Sequence, residues 1–438
     1  MKAVRLAATA SHPGGTMKRI SIVMVVLALA LGGMAAAAPV EVSLAYPVAV
    51  DAPITAMLKG WAQDYMTAHP DVKVTLIFSG GYPDVKTAVQ TAIQGGAKPP
   101  TLAVMLATDV YDLVNAKYVD SLDDLVAQAP GGDAFVKDFL PAYMGNSRYK
   151  GKLWSLPFQR SAVVLYYNTE LFSSAHLTPP RSWDELGKDA QALTVDGGKT
   201  RWGIEIPTEN PYWTFQPLAI GAGQNVFTDD VTVNFNSPGV VNAVQFYLDL
   251  SRTYGATPPG VQTSWGTSTQ NFAAGKTAMI IHTTGSLAGI LKTAKFKVGV
   301  MAVPGSTAGT LASVTGGGNL YLTAGQSPEA RKAAFDLAQF LLAPSRVAAF
   351  SRATGYIPNR TSATATPEYK AWLAQVPQAA DAVAALRSAQ PEIATQDLNA
   401  VKTIFNKYLQ SAFNGSMSAK DAMDAAQSEA DKALADYR

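Results

Sequence analysis

The chain has 438 residues, 48% of them hydrophobic, enough to fill the cores of two ordinary domains. It holds no cysteine, which excludes a disulfide framework and a lipid-anchored export signal, because that anchor needs a cysteine at the cleavage point. With 35 Lys and Arg against 33 Asp and Glu, it lacks the basic excess that nucleic-acid binding calls for. The chain opens with Lys2 and Arg5, and then Met17-Lys18-Arg19 leads into "ISIVMVVLALALGGM" and "AAAAPV". A basic start, a short apolar run and a small-residue end make residues 1–38 a secretory signal peptide, begun at Met1 or Met17. Its removal takes away four basic groups and no acid, so 31 Lys and Arg then face 33 Asp and Glu. Nothing after residue 40 is apolar enough over a sufficient length to cross a membrane.

After the leader, "VEVSLAY" (40–46) alternates and is valine-rich, so it reads as a strand. "ITAMLKGWAQDYMTAHP" (54–70) carries apolar residues at helical spacing and stops at a proline. "VKVTLIFS" (72–79) is a second strand, "YPDVKTAVQTAIQGG" (82–96) a helix closed by glycines, and "TLAVMLA" (101–107) a third strand. This β-α-β-α-β order predicts an α/β fold with a parallel, helix-covered sheet. "AVVLYYN" (162–168) begins a second such region, and Ser182 stands three residues before Glu185 in capping-box spacing ahead of "WDELGKDAQAL". From about residue 325 the chain reads as alanine-rich helices with turns at Pro391 and near Gly415.

Reactive chemistry finds little support. Gly275-Lys276-Thr277 ends like a phosphate-binding loop, but Gln270 stands where the motif needs its first glycine. A helix also precedes it and a strand follows, the reverse of what that loop requires. His69, His176 and His282 are widely separated and no H-E-x-x-H occurs, so no metal site is expected. G-x-S-x-G is absent, and the pairs Asp123/Asp124 and Asp229/Asp230 sit in polar turns as solvated surface. No cofactor and no catalytic group is expected. Aromatic residues at element ends point to binding instead: Tyr46 ends the first strand, Tyr82 opens a helix, "PYWTF" places Tyr212 and Trp213 beside a proline, and Trp265 stands among serines and threonines. Ring faces suit the apolar side of sugars and polyols, and hydroxyl and amide side chains suit their hydroxyls.

Six segments in order carry a resemblance: "FSGGYPDVKTAVQTAIQGGAKPPTLAV" (78–104), "LPFQRSAVVLYYNTELF" (156–172), "PPRSWDEL" (179–186), "NFAAGKTAMIIHTTGSL" (271–287), "KVGVMAVPG" (297–305) and "TGYIPNR" (354–360). Together they resemble the family 1 extracellular solute-binding proteins of bacterial ABC importers, nearest the branch of the glycerol-3-phosphate binding protein, with maltose-binding protein more distant. The resemblance spans the chain after its leader. It implies a type II periplasmic binding fold with two α/β lobes, a solute cleft between them, and hinge crossings near 156–163 and 297–305. Lobe 1 would hold 39–156 and about 305–345, and lobe 2 would hold 162–297 and the C-terminal helices from about 346 to 438. The implied function is capture of a glycerol-3-phosphate or glycerophosphodiester type of solute, or of a sugar, oligosaccharide or polyol, for delivery to an ABC permease; a secreted carbohydrate-active enzyme is the distant alternative, since two catalytic acids meet only in the fold. The implied carrier is a monomer, periplasmic and without a lipid anchor, that binds no nucleic acid.

By position, the resemblance implies ligand contacts at Tyr82, Ser161, Thr283, Thr284, Ser286, Gly317 and Tyr356. Gln159 and Arg160 precede that serine, and Arg160 is a candidate source of charge. Two departures stand out. Asp109 follows the third strand where relatives place an acid, and Lys402 stands where they place a phosphate-pairing arginine. Lysine offers a point charge in place of a two-pronged fork. Tyr46, Tyr82, Trp213, Trp265 and Tyr356 are the expected stacking residues, and the others the polar ones.

Overall fold

A computed structural model of the protein describes residues 38–207, 211–260 and 264–438. The signal peptide, apart from Ala38, lies outside the described residues. Among those described, no helix is long and apolar enough to cross a membrane.

The first three strands form as expected, at Val40–Tyr46, Val72–Phe78 and Leu102–Leu106, with helices Ile54–Ala68 and Tyr82–Gln94 between them. Val40–Tyr46 lies central and parallel to both neighbours, Val40 opposite Val72 and Leu44 opposite Leu102. Helices on both faces explain why Leu102–Met105 are buried without alternation. The sheet continues through Leu311–Leu322, Ser155–Asn168, Thr277–Thr283 and Trp202–Glu205; the first three join antiparallel, and the last runs parallel to Thr277–Thr283.

The two largest hydrophobic cores among the described residues lie along this sheet. The first gathers Leu44, Leu58, Leu102, Leu156, Leu320 and Leu337. The second gathers Leu165, Leu186, Phe215, Val314, Phe405 and Met423. Two long strands serve both: Ser155–Asn168 gives Leu156 to the first and Leu165 to the second, and Leu311–Leu322 gives Leu320 to the first and Val314 to the second. The expected passage at 297–305 is therefore corrected. Val298–Met301 pairs with the far end of Ser155–Asn168, and the return passage is Leu311–Leu322 itself. Helix Pro344–Thr354, expected beside the C-terminal helices, packs into the first core, because Val347 and Phe350 face Trp61 and Phe158. Helices Leu398–Phe413 and Ala419–Ala433 pack into the second.

Ser182 caps its helix by accepting from the Glu185 N–H at 3.2 Å, but the Glu185 carboxylate turns outward to Arg181, so the box forms by half. The Gly-Lys-Thr tripeptide is a turn. Gly275 ends helix Trp265–Ala273, Lys276 is exposed, and Thr277 starts the buried strand Thr277–Thr283.

Candidate functional site

Where the two long strands cross from one core to the other, Gly316 pairs with Ser161, Gly317 with Arg160 and Gly318 with Gln159, and the register then shifts. The glycines are there for close approach. A methyl on Gly316 would meet the Trp213 indole at 2.1 Å, and one on Gly318 would meet the Tyr82 ring at 2.5 Å. Gly317 turns through φ +96, with the Gln159 carbonyl 1.9 Å from where its Cβ would stand. The missing side chains are thus seats for two aromatic rings.

Above this crossing lies a cavity of about 290 Å³, walled by Tyr82, Tyr212, Trp213, Trp265 and Tyr356, with Ser161, Thr283, Gly317 and Glu392 also in its lining. It sits beside the carboxyl ends of Val40–Tyr46 and Leu102–Leu106, through Ala49, Val50 and Leu106, where open α/β sheets take ligands. Trp213 and Trp265 stack with centroids 5.5 Å apart, and the Trp213 N–H donates to the Thr315 carbonyl at 3.0 Å. The Tyr82 hydroxyl donates to Gln159 Oε1 at 2.8 Å and lies 3.5 Å from the Tyr356 hydroxyl. Tyr212 donates to Glu392 Oε1 at 3.2 Å. A second, wider cavity of about 760 Å³ shares Ala49, Val50 and Trp265 and runs past His282, Ser286 and Lys295.

Charge is arranged around the cavity, chiefly behind its walls. Burial pushes the Glu392 carboxyl up to about 7, against the pull of Lys402, Arg160 and the Tyr212 hydroxyl. Arg160 is fully buried and its own burial lowers it from the usual arginine range. Its Nη1 donates to Asn319 Oδ1 at 3.1 Å, and its Nε and Nη2 find no partner among the described residues. Burial also lowers Lys402, whose Nζ lies 4.3 Å from the Tyr212 ring centroid. Burial drives His282 down to about 3, so it is neutral at physiological pH and its Nε2–H donates to the Trp265 carbonyl. Among the described residues no cluster of His, Asp or Glu has metal-binding geometry.

Seven of the residues expected from the sequence meet at this cavity: Tyr82, Ser161, Trp213, Trp265, Thr283, Gly317 and Tyr356. The others stand outside its lining. Tyr46 points into the first core, with its hydroxyl on Thr55, because the last three residues of its strand are all buried. Asp109 is bound to Lys86 at 2.8 Å. Gln159 and Arg160 stand behind Tyr82 and Gly317 and support them. Thr284 accepts from the Ala162 N–H at 3.2 Å, Ser286 faces the wider cavity, and Lys402 lies under Tyr212 outside the lining. Tyr212, read beside Trp213 in "PYWTF" as a candidate aromatic but not kept among the expected contacts, lines the cavity too. The acidic lining residue, Glu392, escapes the sequence reading. Glu392 has no local signal, because the pairing of Ala389–Gln390 beside Ser313–Val314 carries it in from the far end of the chain.

The sequence profile of a family described as bacterial extracellular solute-binding protein matches residues 60–378. The sn-glycerol-3-phosphate-binding periplasmic protein UgpB of Yersinia pseudotuberculosis serotype I is 28% identical over 389 residues, covering 83% of this chain and 85% of its own. The protein of the same name from Salmonella typhimurium is 26% identical over 383 residues, covering 83% and 86%. Among solved structures, UgpB from Mycobacterium tuberculosis in complex with glycerophosphocholine is similar with a TM-score of 0.80 and 24% identity, covering 91% of this chain and 98% of that one. The GacH receptor of Streptomyces glaucescens, also solved with acarbose, gives 0.79 and 22%, covering 91% and 100%. At these identities the structural likeness speaks for the fold, an α/β periplasmic solute-binding fold.

Proposed function

The chain belongs to the bacterial extracellular solute-binding proteins, and on that footing we propose that it captures a small polar solute of glycerophosphodiester or glycerol-3-phosphate type and hands it to an ABC permease. The observation that carries this reading is the aromatic cavity of about 290 Å³ built where the two long strands cross between cores. In this reading the cores are lobes, one of residues 39–156 with helices Pro328–Leu341 and Pro344–Thr354, the other holding the C-terminal pair. The crossing strands are the hinge. Closure buries the solute, and the closed form is what the permease engages. The leader is removed on export, leaving a monomeric periplasmic carrier. The relatives named as periplasmic binding proteins support that placement. No bond of the solute is broken: Glu392 is the one carboxylate among the described lining residues, short of the pair that glycoside cleavage uses.

A neutral sugar or polyol is the second reading, favoured by the absence of lysine and arginine among the described lining residues of this cavity. A thermal-shift screen separates the two. The chain without its leader is expected to gain stability from glycerol-3-phosphate or a glycerophosphodiester, rising with concentration to about 2.7 kcal/mol at one hundred times the dissociation constant. A shift with neutral sugars alone replaces the first reading by the second. Consumption of the solute overturns both.

A further inference from the structure

We infer that Gln396 is a positioning residue for closure: its side-chain amide ties the lobe of residues 39–156 to the other lobe, away from the lining of both cavities, and brings the walls of the solute site face to face before a solute enters. This rests on the reading of the two cores as lobes that close on a solute.

Residues 391–396 are rooted in the lobe that holds the C-terminal pair. The Gln216 side chain donates to the Pro391 carbonyl at 2.9 Å and accepts from the Ile393 N–H at 3.2 Å, and Ile393 and Leu398 belong to the second core. Asp397 then takes the left-handed conformation, φ +42, and starts helix Leu398–Phe413. That conformation is uncommon for a residue with a side chain and persists where its surroundings hold it. Immediately before it stands Gln396, 4% exposed. Its Oε1 accepts from Asn115 Nδ2 at 2.6 Å, and its Nε2 donates to the Tyr149 hydroxyl at 3.0 Å and to Asp230 Oδ2 at 2.7 Å. Its backbone N–H donates to the Asp230 carbonyl at 2.7 Å. Asn115 and Tyr149 lie in the lobe of residues 39–156. Asp230 lies in the turn before Thr232–Val233, whose Val233 belongs to the second core. One amide therefore spans the lobes, with its carbonyl and its nitrogen both engaged.

The surface that Gln396 meets is itself held in place. The Tyr149 ring meets that of Tyr111 edge-on at 4.8 Å, and its carbonyl accepts from the Trp154 indole at 2.9 Å. Burial, with Asp230 next, pushes the Tyr111 hydroxyl up to about 12, so that carboxylate stands close to both tyrosines. The solute cavity needs the same arrangement of lobes: Tyr82 and Tyr356 pack with the first core and Tyr212 with the second, and all three line it. Glu392, four residues before Gln396, lines it as well. Parting the lobes exchanges the bonds to Asn115 and Tyr149 for bonds to water, so each one removed moves the balance toward the parted form. Every partner in the tie is a protein group, so the tie forms without solute. A solute then binds in proportion to the fraction of molecules whose lobes already face each other.

The test reads lobe separation by energy transfer in the chain without its leader. The chain has no cysteine, so a fluorophore pair goes on Lys137→Cys, in helix Gly132–Lys137 of one lobe, and Lys432→Cys, in helix Ala419–Ala433 of the other, both exposed. Without solute, Gln396→Ala is expected to raise the ratio of wide to narrow separation about 10-fold, and Asn115→Ala about 5-fold. The double variant is expected to match Gln396→Ala, because both changes act on one tie. Affinity for sn-glycerol-3-phosphate, the probe, falls with the narrow fraction, and the saturated proteins share one separation. A merely structural role gives neither result. Asn115 is exposed and outside residues 391–396, so Asn115→Ala decides the matter where Gln396→Ala does not fold. Unchanged separation in Asn115→Ala overturns the inference, and so do additive shifts in the double variant. Shifts without solute in a protein that ignores sn-glycerol-3-phosphate keep the inference and count against the phosphate-ester class proposed above. One fixed separation in every protein, with solute bound or not, overturns the lobe reading together with the inference.

Discussion

Replacing Trp213 by alanine is expected to weaken solute binding on the order of 100-fold while the protein stays folded. Its indole stacks on Trp265 and is held by the Thr315 carbonyl over Gly316, so one side chain supplies a wall and orients a second. Buried aromatic anchors of this kind carry about 2 kcal/mol or more of binding free energy, and loss of the partner's stacking adds to that. The stability cost is smaller, because Trp213 is half-buried and leaves a gap open to the cavity. Calorimetric affinity and a circular dichroism melt, measured together, decide the matter. A folded Trp213→Ala protein with unchanged affinity would mean that the solute sits elsewhere.

Gly317→Ala is expected to cost stability as well as binding, about 2–4 kcal/mol from backbone strain and overpacking together. Its φ of +96 is foreign to alanine, and the new methyl would stand 1.9 Å from the Gln159 carbonyl. Relief requires the two crossing strands to separate, and Gln159 is what holds the Tyr82 hydroxyl. A denaturant titration measures the loss, and the affinity of what remains folded measures the displacement of Tyr82. Stability and affinity both unchanged would contradict the crossing geometry on which the site is built.

The sequence made the first five elements legible because each had one dominant signal: valine alternation for strands, helical spacing for helices, and glycine or proline to end them. The cavity was legible to the extent that its residues were large aromatics at element ends. Tyr46 shows where that rule fails. The end of its strand is buried on both faces, so position at a strand end says nothing about direction. Asp109 shows a second failure, since its partner Lys86 lies on another helix 23 residues away and satisfies the charge that a ligand was expected to meet. Glu392 was illegible for a topological reason: only the pairing of Ala389–Gln390 beside Ser313–Val314 brings it to the crossing. The return passage was misplaced for a similar reason. "KVGVMAVPG" and "LASVTGGGNLYL" are both strand-like, and only pairing partners tell which of them spans the two cores.

The central claim is that a solute is held, unchanged, in the cavity that the stacked Trp213 and Trp265 help to wall. Tryptophan emission on titration with glycerophosphocholine reads it most directly, compared among the chain without its leader, Trp213→Phe and Trp265→Phe, with the solute recovered afterwards. A saturable change that either substitution diminishes, with the solute recovered intact, is the predicted result. An undiminished change in both variants, or a solute returned cleaved, would contradict the account.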